Sequence, residues 1–215
     1  MTARASSPAA SVLHANFVRS AQAMRALSVD HVQLANFEAM AAMLIDCFRR
    51  GGRVYIAGNG GSAADAQHMA GEFVSRLARD RAPLPAEALN VDGALLTAIG
   101  NDYGFDQIFA RQLRGKLTDR DMFLGFTSSG NSPNILEALH VCRQLGVPGL
   151  MLAGRGGGAA AGLASVCLTV PGETTSTVQE LHMILAHSLC EVVEQALFPR
   201  QTRLLPQQAV PEYVR

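Results

Sequence analysis

Between residues 11 and 50 apolar side chains recur three and four positions apart. Val32, Ala35, Phe37, Met40, Met43, Leu44 and Phe48 follow this spacing, or come close to it, and Gly51-Gly52 closes the region. Such spacing predicts helix, and a glycine pair is a normal stop. After the glycines the chain changes to short apolar runs separated by Gly/Ser-rich loops. The runs at 53–57, 86–91, 121–126, 149–153 and 165–170 read as strands, and several are continuous, as in strands buried on both faces. Helical patterns at 63–79, 106–117, 133–145 and 177–197, with a helical turn at 94–99, alternate with them. This alternation predicts an α/β domain of three layers, a doubly wound parallel sheet of five strands with an N-terminal helical extension. Residues 1–9 are expected to be disordered, 10–198 to form one domain including the N-terminal helices, and 199–215 to be a tail.

Ligands of such sheets bind in the loops at the carboxyl ends of the strands. Two polar loops lie there. In the first, 58–62, glycines allow close approach to an anion, and Ser62 reads as a helix N-cap with Asp65 three residues later. The free amides of a helix start suit an anion, although a plain strand-to-helix turn has the same letters. The run Gly58-Asn-Gly-Gly-Ser-Ala63 also meets a permissive dinucleotide fingerprint, but its acid is expected about 20 residues on, and Asp92 comes late. In the second loop, 127–132, Thr127, Ser128, Ser129 and Ser132 offer hydroxyls, with Ser132 as N-cap and Pro133 at the first helical position. It holds no Lys or Arg, so an anion there would be bound by neutral donors. A polar turn with a cap is the alternative.

His68 and Glu72 stand four apart and share a helix face. With Asp65 and Arg76 they form a polar stripe beside an apolar one of Met69, Phe73 and Leu77, a pattern that plain solvated surface also produces. Gln179 and His187, eight apart, lie roughly on one line of the last helix, with His182 a competing candidate. Two imidazoles, a carboxylate and a carboxamide could converge on a divalent metal, and such a donor set suits zinc. His14, His31 and His140 lack polar company and read as surface or packing residues.

Lys+Arg and Asp+Glu balance at 18 each, so no global field exists to hold nucleic acid or an anionic membrane. The composition, 48% hydrophobic and 17% charged, supports a real core. Cys47, Cys142, Cys167 and Cys190 are scattered through apolar stretches and read as small buried hydrophobes in a reducing cytoplasm. The start lacks the pattern of a signal peptide, and no apolar run is long enough to span a membrane.

The segment 57–76, Ala-Gly-Asn-Gly-Gly-Ser-Ala-Ala-Asp-Ala-Gln-His-Met-Ala-Gly-Glu-Phe-Val-Ser-Arg, closely resembles bacterial phosphoheptose isomerases, which carry the sugar isomerase (SIS) domain. Further matches follow in order at 99–104, 127–132 and 178–182 through His187. The resemblance implies conversion of sedoheptulose 7-phosphate to D-glycero-D-manno-heptose 7-phosphate through an enediol(ate), serving lipopolysaccharide or other glycoconjugate synthesis. It implies a homotetramer with active sites between subunits, a sugar phosphate as small-molecule partner and no nucleotide cofactor. It implies Glu72 as base and His187 as acid. Substrate contacts fall at Asn59, Gly60, Gly61, Ser62, Glu72, Arg76, Asn101, Asp102, Thr127, Ser128, Ser129, Ser132 and Gln179. Zinc, one per subunit, would be held by His68, Glu72, Gln179 and His187. The hydroxyl loop reads Thr-Ser-Ser-Gly where many members have Ser-Thr-Ser-Gly, Ser176 replaces an Asp found in some, and Glu87 takes a usually apolar strand position. A non-catalytic relative, the protein that associates with the replication initiator DnaA, has the residues matching Glu72 and His187 replaced; both are kept here.

Overall fold

A computed structural model describes residues 7–199. Ser7 caps, and Pro8 opens, helix α1 (Pro8–Ser28), so the helix begins inside the segment expected to be disordered; residues 1–6 and 200–215 lie outside the described residues. The helical region is not continuous. It breaks at residues 29–30, where Asp30 caps α2 (His31–Arg49) by accepting from the amides of Val32 (3.0 Å) and Gln33 (3.1 Å).

Five parallel strands follow, β1 (Val54–Gly58), β2 (Ala86–Ala88), β3 (Met122–Thr127), β4 (Gly149–Gly154) and β5 (Val166–Val170), in the order β2-β1-β3-β4-β5. Every residue of β1, β3 and β4 is buried, as continuous apolar runs require. Alternate residues serve two cores. Val54, Ile56, Leu124, Phe126, Leu150, Leu152 and Leu168 pack against α2, α3 (Gly61–Val74) and α7 (Thr175–Leu197). Tyr55, Ala57, Phe123 and Met151 pack against the opposite layer, which contains α5 (Ala110–Lys116) and α6 (Pro133–Leu145). The expected three-layer doubly wound sheet is present. The strand order reverses between β1 and β3, so the loops after these two strands flank the switch point where such folds bind ligands.

Both sheet edges are protected. Along β5, Gln33 accepts from Thr169 N (2.8 Å) and Asn36 donates to the Cys167 carbonyl (3.2 Å). On β2, shorter than expected, Glu87 faces Arg53 (3.2 Å) and Lys116 (2.5 Å), which accounts for an acid in a strand. The turn expected at 94–99 is a full helix, α4 (Gly93–Tyr103), capped by Asp92, so the late acid of the dinucleotide fingerprint is occupied as a cap. The helix expected at 106–117 is a 3-10 turn (Phe105–Gln107) followed by α5.

Helix α3 ends at Val74, five residues before its expected limit at Arg79, which takes Arg76 and Leu77 off the helix. Ser75 leaves helical geometry at φ −90°, ψ −93°. Among the described residues no helix is long and apolar enough to cross a membrane. Cys47, Cys142 and Cys190 are buried, as expected; Cys167 is only half-buried. Burial raises the thiols of Cys47 and Cys142 to about 12 and that of Cys167 to about 11.

Candidate active site

The chain turns from β1 into α3 on Gly60, whose φ of +57° favours glycine. Gly60 is itself the N-cap and supplies no side-chain acceptor; the amides of Ser62 and Ala63 donate to the Asn59 and Gly60 carbonyls at 3.0 Å, which leaves the Gly61 amide as the open one of this turn. Ser62 is therefore not the cap. It lies inside the first turn, 3% exposed. A Cβ on Gly61 would sit 2.3 Å from Gln179 Nε2, so the glycine makes room for that carboxamide. Asn59 exchanges two hydrogen bonds with Asn134 of α6, at 2.8 and 2.9 Å, which join the loop after β1 to the loop after β3. Asn134 was not singled out by sequence reasoning. Its one signal is an amide just inside an apolar helix, 1% exposed and with no local use.

In the loop after β3, Thr127 Oγ1 accepts from Gly130 N (3.1 Å) and Ser129 Oγ accepts from Asn131 N (3.1 Å). These hydroxyls shape the loop. The side-chain hydroxyls of Ser128 and Ser132, both residues half-buried, have no hydrogen-bond partner among the described residues; Ser132 occupies the N-cap position of α6 and its carbonyl accepts from Ile135 and Leu136, but its hydroxyl does not cap the helix. The 3-10 segment after β4 (Arg155–Gly162) braces the loop, with Ala159 N donating to Asn131 Oδ1 (2.9 Å) and Ala160 N to the Gly130 carbonyl (3.0 Å). Gly130 has φ +70°, and a Cβ there would lie 2.0 Å from the Gly157 carbonyl oxygen. Gly130→Ala is expected to cost at least about 2 kcal/mol of stability, from backbone strain plus a backbone clash. Denaturant midpoints of the two proteins check this.

Helices α3 and α7 bring His68, Glu72 and His187 together. Glu72 Oε1 lies 3.0 Å from His68 Nε2 and 3.3 Å from His187 Nε2, and the two imidazole nitrogens are 3.3 Å apart. One ligand atom from each lies within 4.8 Å of the others, so the three side chains form a candidate metal-binding cluster. The Glu72 side chain is 10% exposed, whereas those of His68 and His187 are 51% and 45% exposed, so the carboxylate forms the floor and the imidazoles the rim. Its second oxygen, Oε2, is buried without a partner. Burial first, and the neighbouring Glu72 carboxylate second, raise the thiol of Cys190 and keep it protonated.

The other expected residues fall in three groups. Gln179 lies two turns before His187 on α7, against Gly61. Arg76 is exposed beyond the end of α3, and Asn101 and Asp102 are exposed on the last turn of α4, bonded to each other at 2.8 Å. Apart from that bond, none of these three hydrogen-bonds another expected site residue among the described residues. His182, the competing ligand, points into the core. It is fully buried, edge-on to Phe126 at 5.8 Å, with neither ring nitrogen in a hydrogen bond.

Burial lowers the His182 pKa to about 4, against a smaller opposing pull from the Ala153 carbonyl, which lies outside hydrogen-bond geometry. The unfolded chain therefore binds this proton first as pH falls, and stability is lost from about 6.5 toward 4. Asp65 acts in the opposite sense. Burial outweighs the pull of His68 and raises its pKa to about 6, so its cost appears as pH rises. Wild type should lose about 2 kcal/mol between pH 6.5 and 4.5 that His182→Leu does not lose. Urea unfolding of both proteins at the two pH values reads this difference.

Residues 16–154 match the model of the SIS domain. The chain is 46% identical over 173 residues to a phosphoheptose isomerase of Aneurinibacillus thermoaerophilus, covering 80% of this chain and 87% of the relative. It is 44% identical to one of Burkholderia pseudomallei, covering 86% and 95%. Among solved structures, the phosphoheptose isomerase of Neisseria gonorrhoeae superposes with a TM-score of 0.80 at 35% identity, covering 86% of this chain and 98% of that one. That of Francisella tularensis gives 0.82 at 33%, covering 88% and 100%. With its sheet order, its two loops at the switch point and its His–Glu–His cluster, the chain belongs to the phosphoheptose isomerases of the SIS-domain family.

Proposed function

We propose that this chain isomerises sedoheptulose 7-phosphate to D-glycero-D-manno-heptose 7-phosphate. The observation that carries the reading is the meeting of Glu72 with His68 and His187 beside the two switch-point loops. Glu72 takes the proton from C1 of the ketose and returns it at C2. His187 gives a proton to the C2 carbonyl oxygen and removes one from the C1 hydroxyl, which completes the passage through the enediol. Burial of Glu72 keeps bulk water from exchanging freely with the proton it carries. Asn59, in the loop after β1, and Gln179, on α7 against Gly61, bind sugar hydroxyls.

The two facing imidazole nitrogens and the carboxylate oxygen fit zinc. Zinc, one per subunit, would be held by His68, Glu72 and His187, with Gln179 as a fourth ligand. When bound it supplies Lewis-acid polarisation of the substrate oxygens.

The phosphate sits on the Gly61 and Asn134 amides, at the starts of α3 and α6, and on the free hydroxyls of Ser128 and Ser132, with Ser62, Thr127 and Ser129 shaping its seat. Ser132→Ala should raise KM about tenfold and change kcat much less, as loss of uniform binding to a charged group does. Steady-state kinetics on the ketose phosphate check it. An unchanged KM would place the phosphate elsewhere.

Arg76, Asn101 and Asp102 reach the substrate from a neighbouring subunit of a homotetramer. Two features support assembly: these polar residues stand apart from the cluster in one chain, and α1 exposes Val12, Leu13 and Phe17 at 62%, 55% and 65%. Residues 10–198 act as one SIS domain, working in the cytoplasm to supply heptose for lipopolysaccharide or a related glycoconjugate. Glu72 and His187, present and in contact, speak against the non-catalytic, initiator-associating alternative. Turnover of sedoheptulose 7-phosphate without added nucleotide tests the reading; a folded, zinc-supplied protein with no turnover would refute it.

A further inference from the structure

A buried ion pair outside the cluster has contacts that self-satisfaction does not explain. The side chains of Arg81 and Glu194 are each 1% exposed, and Arg81 Nε donates to Glu194 Oε1 at 3.0 Å. Arg81 also reaches back to α3, where Nη2 donates to the Glu72 carbonyl (2.7 Å) and Nη1 to the Phe73 carbonyl (2.6 Å). Glu194, on α7, accepts from the amides of Leu77 (2.9 Å) and Ala78 (3.2 Å). The guanidinium lies 5.7 Å from the centre of the Phe198 ring. Burial pushes the Glu194 carboxyl up, but the two amides and Arg81 together hold it below the ordinary range. One pair thus grips the backbone at Glu72 and the backbone next to Arg76, and ties both to the helix that carries Gln179 and His187.

A buried ion pair is a weak source of stability, since apolar residues of similar volume often serve as well. Its contacts fall instead on the backbone of Glu72 in this chain's cluster and on the turn that carries Arg76 toward the neighbouring subunit. We propose that Arg81 and Glu194 are positioning residues for the isomerisation, Arg81 setting Glu72 against His187 and Glu194 setting the turn that carries Arg76. The inference rests on the proposed isomerase reading.

The test is steady-state kinetics on sedoheptulose 7-phosphate with zinc-supplemented protein, at a temperature where thermal unfolding shows each variant folded. Arg81→Lys keeps the charge opposite Glu194 but cannot span two carbonyls. Its kcat should fall about tenfold or more, with KM within about threefold, because a small misplacement of a reacting group is costly. Glu194→Gln loosens the turn beside Arg76 and should raise KM as well. The double replacement Arg81→Met with Glu194→Leu removes the unpaired buried charge that each single variant leaves, but not the loss of partners at the Glu72 and Phe73 carbonyls and the Leu77 and Ala78 amides, so it should recover part of the melting temperature lost by the single variants while kcat stays low. Return of kcat together with melting temperature would make the pair merely structural and overturn the inference, as would an Arg81→Lys kcat within about twofold of wild type. Wild-type turnover in the same assay separates the two readings. Silence of every protein counts against the isomerase, whereas equal activity in wild type and Arg81→Lys counts against the positioning role.

Discussion

Glu72→Gln is expected to lower kcat for sedoheptulose 7-phosphate by about 10²–10⁴-fold, the usual range for a positioned acid or base, with the fold intact. The side chain is almost isosteric, so the effect is chemical. Glu72 Oε1 faces two imidazole nitrogens at 3.0 and 3.3 Å, and an amide oxygen can still accept there. An amide cannot take a proton from carbon. Because Oε2 has no hydrogen-bond partner, NH₂ at that position breaks no hydrogen bond, and its cost is that of one buried donor without an acceptor, about 1–3 kcal/mol. His187→Ala should show a loss of similar order, since the exchange of protons between the two substrate oxygens loses its carrier. Kinetics on folded protein, verified by circular dichroism, decide the matter. Retention of more than about a tenth of wild-type kcat by either variant would remove that residue from acid–base work.

The parts of the fold that could be read in the sequence were those with local signals. Helix α6 runs over the expected residues because Ser132-Pro133 opens it and Gly146, at φ +67°, closes it. The strands were legible as apolar runs to within a few residues, and only the edge strand β2 proved markedly shorter. The end of α3 was not legible. Residues 75–82 contain neither Gly nor Pro, and the chain leaves the helix where Arg81 and Glu194 capture its backbone; Glu194 lies 117 residues from Leu77. The break between α1 and α2 did have a signal, Asp30, which the longer apolar period concealed.

The site divides in the same way. The i,i+4 pair of His68 and Glu72 follows from helix geometry, and the placing of a helix start after each of β1 and β3 follows from the Gly/Ser loops. The approach of His187 to that pair depends on the packing of α7 against α3, which periodicity alone does not specify. The core position of His182 could not be told from the exposed position of His187, since each lies among apolar residues of one helix. Ser62 looked like a cap because its letters fit, but the positive φ of Gly60 starts the helix earlier. The Asn59–Asn134 pair joins loops 75 positions apart and had no local counterpart in the sequence.

Removal of zinc is expected to abolish activity, and return of zinc to restore it. Two imidazole nitrogens 3.3 Å apart face one carboxylate oxygen, all within 4.8 Å, and the histidine side chains are about half exposed. Without a cation, such a cluster holds two rings edge to face on a carboxylate whose second oxygen is unpartnered. A divalent ion relieves this arrangement, and nitrogen with carboxylate oxygen is a donor set that zinc accepts with room left for substrate. Elemental analysis of tag-free enzyme should find about one zinc per subunit, and dialysis against a chelator should remove it together with activity. His68→Ala should weaken zinc binding by at least about tenfold, with direct titration as a readout independent of turnover. Affinity should also fall in acid, because bound histidines must be deprotonated. Full activity in protein shown to be metal-free would confine His68, Glu72 and His187 to proton transfer and sugar binding; the isomerase would stand, and the Lewis-acid contribution would not.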